Sequence, residues 1–193
     1  MKRKLEISQN RFKYLIEPLD IKNSSINPFT QFKKWFKQAI QNKVYEPTAM
    51  SLSTIGKNNK VSNRIVLLKG IDKKSFVFYT NLTSRKAIEI KINNSVAAVF
   101  WWPQIGKQVR IEGVVKKIKT LEADKYFATR SRKSQIGAWA SNQSDILPSR
   151  KYLEKQVKII EKRFENKIIT RPKYWSGLSI IPFLIEFWQG REN

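Results

Sequence analysis

The chain has 193 residues, of which 41% are hydrophobic and 12% aromatic, enough for one substantial core and too few to predict two domains. It contains no cysteine and no histidine, which excludes disulfides, Ser–His and Cys–His nucleophile pairs and the commonest metal ligands, so we expect no metal site and a cofactor for any difficult chemistry. The net charge is +23, but basic residues occur in every segment, which favours a compositional background over a nucleic-acid-binding surface.

The N-terminal part of the chain predicts a loosely packed segment followed by a helix. Residues 1–26 are polar and weakly patterned, and we expect them to pack across a single domain spanning residues 1–193. Asn27 is suited to cap a helix that begins at Pro28 and places aromatic residues at helical spacing. No apolar run could span a bilayer and no signal peptide is recognisable, so a cytoplasmic location is expected.

The centre of the chain predicts antiparallel strands. Residues 48–54 alternate as a half-buried strand, and residues 64–68 and 76–80 read as a hairpin. Residues 95–102 are almost continuously apolar, as in a strand covered on both faces, and residues 108–119 alternate cleanly. About five such strands imply a barrel or a sandwich.

A short helix after the hairpin is the first candidate for a binding site. Ser84 is a good N-cap for residues 87–92, so Arg85 and Lys86 fall in the first turn, where the helix dipole disfavours cations. A bound phosphate would offset that repulsion. The alternative is that both cations are simply solvated.

The second half of the chain predicts two more helices and a last strand. Thr120 caps a helix on which Tyr126, Arg130 and Ser134 share one face if the helix persists. These side chains could bind an anion, or they could be an interface tyrosine with a snorkelling arginine. Ser149 begins the next helix, and Pro182 interrupts the final strand, which indicates an edge or a bulge.

Several spaced motifs together resemble the pyridoxine/pyridoxamine 5′-phosphate oxidases, from about residue 27 to the last residue. They are E-P-T-A-M at 46–50, R-I-V-L-L-K at 64–69, F-Y-T-N-x-x-S-R-K at 78–86, S-Q-I-G-A-W at 134–139 and I-E-F-W-Q-G at 185–190. The resemblance implies a mainly β fold with peripheral helices, an antiparallel split β-barrel of the FMN-binding type. It also implies a homodimer that holds FMN at the subunit interface.

The resemblance further implies an activity and a set of contacts. Pyridoxine or pyridoxamine 5′-phosphate would be oxidised to pyridoxal 5′-phosphate by hydride transfer to FMN, with molecular oxygen as the final acceptor and hydrogen peroxide as its product. The implied cofactor contacts are Arg64, Ile65, Val66, Leu67, Leu68, Lys69, Tyr79, Thr80, Arg85, Lys86, Gln108, Gln143, Ser144 and Trp188. The implied substrate contacts are Lys69, Tyr126, Arg130, Ser134, Arg11 and Tyr14. No catalytic residue is assigned.

The end of the sequence departs from the family pattern. In the family, the segment matching residues 190–193 continues into an R-L-H-D-R motif and a last strand with further substrate and flavin contacts. We therefore expect an uncovered barrel edge. A second hypothesis is a non-catalytic FMN- or pyridoxal-phosphate-binding protein, and a third is a basic barrel that binds nucleic acid.

Overall fold

The computed structural model describes residues 19–72 and 74–191, so the predicted substrate contacts Arg11 and Tyr14 lie outside the described residues. The strands are β1 (Ala49–Ile55), β2 (Val61–Ile71), β3 (Phe76–Asn81), β4 (Ser95–Trp102), β5 (Lys107–Lys117) and β6 (Trp175–Gln189). They form a closed antiparallel barrel in the order β1-β2-β3-β6-β5-β4. The predicted mainly β fold with flanking helices is confirmed.

The barrel closes because every strand pairs on both sides, including the first, since β1 pairs with β2 and with β4. The long strand β6 pairs with β3 over residues 175–180 and with β5 over residues 178–189. The expectation of an uncovered barrel edge is therefore wrong for the described strands. A family strand beyond β6 is not needed to close this sheet.

β2 and β3 diverge at one end of the barrel. β2 pairs with β1 from Val61 to Leu67, but it pairs with β3 only from Leu68 to Ile71. The register shifts between Leu68 and Gly70, so Lys69 forms a bulge that bends the strand. The backbone edge of residues 64–67 is thereby left unpaired by β3 and borders a cleft.

Helix α1 (Pro28–Gln41) covers the barrel with its aromatic face. The Asn27 side chain accepts hydrogen bonds from the Phe29 and Thr30 amides at 2.9 and 3.3 Å, which confirms the predicted cap. Phe32 is fully buried, and its ring contacts those of Phe76, Phe100 and Trp102 in the barrel core. This aromatic cluster anchors the helix by apolar burial.

Helix α2 (Arg85–Ile92) follows the hairpin as predicted, but its N-terminus is fixed differently. Ser84 occupies the N-cap position without a side-chain capping bond. Its hydroxyl instead donates to the Asn81 carbonyl at 2.7 Å, and the Asn81 side chain accepts from the Thr83 amide. The turn that precedes α2 is thus built by Asn81, directly after β3.

The two central strands differ in how their outer faces are covered. On β5 the side chains alternate between buried and half-exposed up to Val115, which confirms the predicted alternation. On β4, Val96, Ala98, Phe100 and Trp102 are buried, but Trp101 on the opposite face is 45% exposed. The prediction that both faces of β4 are covered is therefore wrong within one chain.

The predicted irregularity at Pro182 is a bulge. The β5–β6 register shifts between Glu112 and Gly113, so that Phe183 has no partner on β5. A Cβ atom on Gly113 would lie 2.5 Å from the Ile181 carbonyl oxygen, which means that only glycine lets the two backbones approach this closely.

Three helices lie between β5 and β6: α3 (Thr120–Thr129), α4 (Arg132–Ala140) and α5 (Arg150–Arg163). Lys119, not Thr120, is the N-cap of α3, and the helix ends before Arg130, so it does not persist to Ser134. Ser149 caps α5 as predicted, accepting from the Tyr152 amide at 3.1 Å. Among the described residues, no helix has the length and apolar character needed to cross a membrane.

The helices share a second apolar cluster outside the barrel core. Its buried members are Phe127, Ile136, Phe164, Ile169 and Trp175. Helix α5 reaches this cluster through Val157 and Ile160, which are only partly buried. This packing holds α3 and α4 against the start of β6.

Candidate functional site

A cleft of about 530 Å³ lies where β2 leaves β3, bounded by the barrel on one side and by α2, α3 and α4 on the other. It brings together twelve of the predicted contacts: Arg64, Ile65, Val66, Leu67, Lys69, Tyr79, Thr80, Lys86, Tyr126, Arg130, Ser134 and Gln143. They come from strands, helices and a loop that are far apart in sequence. Other lining residues are Asn81, Gly137, Ala138, Ser141 and Trp175.

Five predicted cofactor contacts lie elsewhere. Leu68 points into the barrel core and is 4% exposed. Arg85 and Ser144 line a neighbouring cavity of about 360 Å³. Gln108 and Trp188 face each other across β5 and β6, and the Trp188 ring lies 6.1 Å from that of Trp101 on the outer face of the barrel.

Lys86 supplies a buried cation at one end of the cleft. Lys86 is 8% exposed. Its ammonium group donates hydrogen bonds to the Gln143 side-chain oxygen at 3.0 Å and to the Thr80 hydroxyl at 3.3 Å. Within the described part of the chain it forms no ion pair. Burial, reinforced by the charge of Arg64, lowers the pKa of Lys86 to about 8 although Glu89 opposes the shift. An anion in the cleft would stabilise the charged form.

Arg64 is held rigidly beside Lys86. Its guanidinium donates to the Leu52 carbonyl at 3.1 Å, to Thr54 at 2.5 Å, to the Ser62 hydroxyl and to Glu89 at 3.1 Å. A guanidinium has five N–H donors, so these four bonds fix its plane. The side chain is only 20% exposed.

An aromatic stack forms the opposite wall. The Tyr79 ring lies 3.8 Å from that of Tyr126 and 5.1 Å from that of Trp175, nearly parallel to both. Burial, together with the charge of Glu122, raises the pKa of Tyr79 to about 12. Both phenols are therefore hydrogen-bond donors at neutral pH, since burial also raises the pKa of Tyr126.

Arg130 is the cation of this wall. Its guanidinium carbon lies 4.6 Å from the Trp175 ring centroid and 5.6 Å from that of Phe127. Burial lowers the pKa of Arg130. Its Nη1 atom is buried and has no hydrogen-bond partner among residues 19–72 and 74–191. A buried donor without an acceptor is costly, so this atom suits a ligand oxygen.

Ser134 adds a helix N-terminus to the same wall. It stands in the first turn of α4, where the Ser131 hydroxyl accepts from its amide at 3.3 Å and donates to its side-chain oxygen at 2.9 Å. Because Arg130 ends α3 and α4 begins two residues later, Tyr126, Arg130 and Ser134 meet through a kink between helices. The predicted grouping is present, but a single helical face does not produce it.

Three of the five lining residues that were not predicted lie within motifs quoted above. Asn81 lies within F-Y-T-N, and Gly137 and Ala138 lie within S-Q-I-G-A-W. Ser141 follows the latter motif directly. Trp175 lies outside the quoted motifs, at the start of β6, where it faces Arg130 rather than the barrel core.

The arrangement suits a flat ligand with anionic groups. Arg64, Lys69, Lys86 and Arg130 provide cations, and Ile65, Val66 and the aromatic stack provide apolar surface. None of the described lining residues is a carboxylate, a histidine or a cysteine. The cleft therefore binds and orients well, while the usual side chains for acid–base or nucleophilic catalysis are not among these residues.

Comparison with known proteins agrees with this description. Residues 36–164 match the model of the family described as pyridoxamine 5′-phosphate oxidase. A pyridoxine/pyridoxamine 5′-phosphate oxidase of Nostoc punctiforme is 46% identical over 97% of this chain and 87% of its own length. One of Aliarcobacter butzleri is 47% identical over 98% and 89%.

Solved structures show the same barrel. PhzG from Burkholderia lata 383, in complex with tetrahydrophenazine-1-carboxylic acid, has a TM-score of 0.84 and 27% identity, covering 90% of this chain and 86% of its own. A pyridoxamine 5′-phosphate oxidase-related, FMN-binding protein from Nostoc punctiforme has a TM-score of 0.68 and 15% identity, covering 86% of each chain. The second likeness concerns the fold alone.

Proposed function

The chain belongs to the pyridoxamine 5′-phosphate oxidase family, and we propose that it oxidises pyridoxine or pyridoxamine 5′-phosphate to pyridoxal 5′-phosphate with FMN as its cofactor. The observation that supports this most directly is one cleft containing two separate, incompletely paired cations. Lys86 is buried without an ion pair among the described residues, and Arg130 has a buried donor without an acceptor. Two phosphorylated ligands would supply both missing partners.

The Lys86 end of the cleft fits FMN. Lys86 and Arg64 would hold its phosphate, with the Gln143 and Thr80 side chains already orienting the ammonium group. The unpaired backbone edge of residues 64–67 borders the same cleft, so its N–H and C=O groups are available to the polar edge of a flavin ring. FMN is the cofactor of this family, and these residues match its chemistry.

The Arg130 end fits the phosphate of the substrate. Arg130 would give it charge-assisted hydrogen bonds, Tyr126 a phenolic O–H, and Ser134 a hydroxyl at a helix N-terminus. Lys69, raised from β2 by the bulge, lines the cleft between the two ends. These four side chains would fix the orientation of the substrate.

The proposed oxidation then depends on how the substrate is positioned against FMN. FMN held by Lys86 and Arg64 would supply the acceptor for a hydride from the carbon that becomes the aldehyde, with the accompanying proton lost to solvent. Molecular oxygen would be the final electron acceptor and give hydrogen peroxide, and with the amine substrate water would replace the nitrogen, which leaves as ammonia. The chain's own part is to hold the two phosphates, exclude water with the Tyr79–Tyr126–Trp175 stack and fix the distance between the reacting groups.

We also propose a homodimer, since Gln108 and Trp188 cannot serve the cleft from their own chain. They are cross-strand neighbours on the outer face of the barrel, beside the exposed Trp101. If both contact FMN, they do so from a second copy of the chain. The open outer face of β4 would be covered by the same association.

The dimer can be tested by mixing two variants, Lys86→Ala and Trp188→Ala. Each variant alone should bind FMN weakly. After joint refolding, a mixed dimer would contain one site with both residues intact, so roughly a quarter of all sites should recover. Recovery of FMN binding, seen as yellow protein, supports a site shared between two chains. No recovery contradicts it.

The activity is tested by adding pyridoxamine 5′-phosphate to the FMN-loaded protein without oxygen and recording the flavin absorption band. Bleaching is the expected result. A yellow protein that does not bleach would support the non-catalytic binding protein instead. A protein that takes up no FMN would overturn both hypotheses.

The same experiment can test substrate choice. Tetrahydrophenazine-1-carboxylic acid is the ligand named for the PhzG structure, and it carries a carboxylate where the proposed substrate carries a phosphate. Arg130, Tyr126 and Ser134 favour the phosphate because a phosphate carries more negative charge than a carboxylate and has a third acceptor oxygen. Faster bleaching by the carboxylic acid would contradict the proposed substrate.

A further inference from the structure

A buried carboxylate lies directly behind the proposed FMN phosphate cradle. Glu89 of α2 is 6% exposed. One of its oxygens accepts from Arg64 at 3.1 Å and the other from Arg85 at 2.8 Å. Two cations, Arg64 of β2 and Arg85 of the first turn of α2, are therefore joined to a single side chain that is not among the predicted contacts.

The link between Glu89 and Arg64 is reinforced by two hydroxyl groups. Thr54 and Ser62 each accept a hydrogen bond from the Arg64 guanidinium and donate one to Glu89, at 2.5 and 2.6 Å for the donated bonds. The result is a connected network in which Arg64, Thr54, Ser62 and Glu89 each form at least two hydrogen bonds to other members. Such a network has one geometry, because turning any member breaks two bonds.

The electrostatics confirm that the carboxylate is charged. Burial by itself would raise the pKa of Glu89, but hydrogen bonds from Ser62, Thr54 and Arg85 and the charge of Arg85 lower it to about 2. Lys86, by contrast, is outside the network and keeps its ammonium group in the cleft. Lys86 thus forms no ion pair among the described residues, whereas Arg64 and Arg85 are both paired with Glu89.

Packing leaves Glu89 little freedom. A Cβ atom on Gly56 would lie 3.2 Å from Glu89 Cγ and 3.3 Å from its Oε1. The glycine at this position, at the end of β1, makes room for the carboxylate. A larger residue at position 56 would displace the carboxylate.

We propose that Glu89 is a positioning residue for the cofactor, which fixes Arg64 in the orientation that receives the FMN phosphate, while Arg85 holds the other oxygen of Glu89 from the neighbouring cavity. The inference rests on the proposed function, since it concerns the same cradle. Glu89 touches only protein groups and acts on the cofactor through Arg64. Without it, Arg64 must be ordered again each time FMN binds, and affinity falls.

Charge alone predicts the opposite result. Removing a carboxylate from behind a phosphate site makes the site more positive and should tighten anion binding. For Glu89→Gln, loss of positioning therefore predicts weaker FMN binding, whereas loss of the negative charge predicts tighter FMN binding. Glu89→Asp separates them further, because it keeps the charge but is one methylene too short to reach both arginines.

The experiment compares the dissociation constants of FMN and riboflavin for the apoprotein, measured by quenching of flavin fluorescence. Riboflavin lacks only the phosphate. We expect Glu89→Gln and Glu89→Asp to weaken FMN binding by roughly tenfold to a hundredfold, the loss typical of one hydrogen bond to a charged group, with riboflavin changed less than about twofold. Glu154→Gln is the matched control, since it breaks an exposed Arg–Glu pair with the same i,i+4 spacing.

Each other outcome overturns the inference. Equal losses for FMN and riboflavin would mean that Glu89 only supports the fold, and tighter FMN binding would mean that its charge dominates. Full FMN affinity in Glu89→Asp would mean that position is unimportant. If Glu89→Gln does not fold, Gly56→Ala makes the same comparison with the carboxylate displaced. A wild-type protein that binds neither flavin would instead overturn the proposed function.

Discussion

Arg130 and Trp175 form the contact on which the substrate wall of the cleft depends: the guanidinium carbon lies 4.6 Å from the ring centroid. Arg130 comes from the end of α3 and Trp175 from the start of β6, so the contact joins the helices to the barrel. The ring holds the guanidinium by a cation–π interaction and leaves its buried Nη1 atom free for a ligand.

Replacing Arg130 should affect the substrate and spare the cofactor. Arg130→Ala removes the donor expected to bind the substrate phosphate, so KM for pyridoxamine 5′-phosphate should rise roughly tenfold to a hundredfold, the loss typical of a charged hydrogen bond. FMN retention should be unchanged. Steady-state kinetics and the flavin absorption of the purified variant measure the two effects.

Arg163→Ala is the control for that substitution. Arg163 also lies over an aromatic ring, 4.9 Å from the centroid of Trp139, but it does not line the cleft. KM should stay at the wild-type value. An equal rise in KM for both variants would show that any arginine–aromatic contact in the helices matters, and that Arg130 has no special role.

FMN affinity should depend on pH through Lys86. Its pKa is about 8 because burial disfavours the charged form, and a bound phosphate raises that pKa by favouring the charged form. From pH 7 to 8 the dissociation constant should be nearly flat, and above pH 8 it should rise by up to about tenfold per pH unit. Fluorescence titrations between pH 7 and 9.5 measure this.

Lys86→Arg tests the origin of that pH dependence. Arginine remains charged throughout the range, so the variant should show a flat profile above pH 8, while Lys86→Ala should bind FMN weakly at every pH. The same slope in Lys86→Arg as in the wild type would assign the titration to another group.

Acid should weaken the fold through Glu89. Its pKa is about 2 in the folded protein and 4.5 in the reference state, so its contribution to stability is complete above pH 4.5 and is lost as pH falls toward 2. The contribution is on the order of 3 kcal/mol at neutral pH. The free energy of unfolding in urea should therefore differ between wild type and Glu89→Gln more at pH 7 than at pH 3.

The exposed pair Arg150–Glu154 gives the comparison for this measurement. Glu154→Gln should change stability little at either pH, because exposed ion pairs contribute little to folding. A difference between wild type and Glu89→Gln that stays constant from pH 7 to 3 would contradict the low pKa of Glu89.

Two glycines should respond oppositely to alanine. Gly113→Ala places a Cβ atom 2.5 Å from the Ile181 carbonyl oxygen and 2.9 Å from Pro182 Cα, and backbone at a bulge cannot move away easily. We expect a loss of about 1–3 kcal/mol in the free energy of unfolding. Gly137→Ala, within α4, meets no atom within 4 Å and should be neutral or stabilising by up to about 1 kcal/mol. Thermal and urea unfolding of both variants measure these changes. A Gly113→Ala variant with the free energy of unfolding of the wild type would mean that the bulge can relax.

Local sequence determined much of the secondary structure. The cap at Asn27, the hairpin, the alternation of β5 and the bulge at Pro182 depend on neighbouring residues or on a two-residue period, and each is present. The kink between Thr129 and Arg132 was missed, because the tyrosine, arginine and serine spacing fits one continuous helix as well as two. Short-range patterns do not say where a helix must bend to meet the barrel.

The motifs also indicated most of the cleft, but its assembly was decided by tertiary structure. The sequence by itself placed Arg85 and Lys86 together in one helical turn. Only the fold shows that Lys86 enters the cleft while Arg85 pairs with Glu89 in the next cavity. The physical reason is that successive helical residues point about 100° apart. What each one meets depends on strands β1 and β2, whose Thr54, Ser62 and Arg64 lie 35, 27 and 25 residues from Glu89 in sequence.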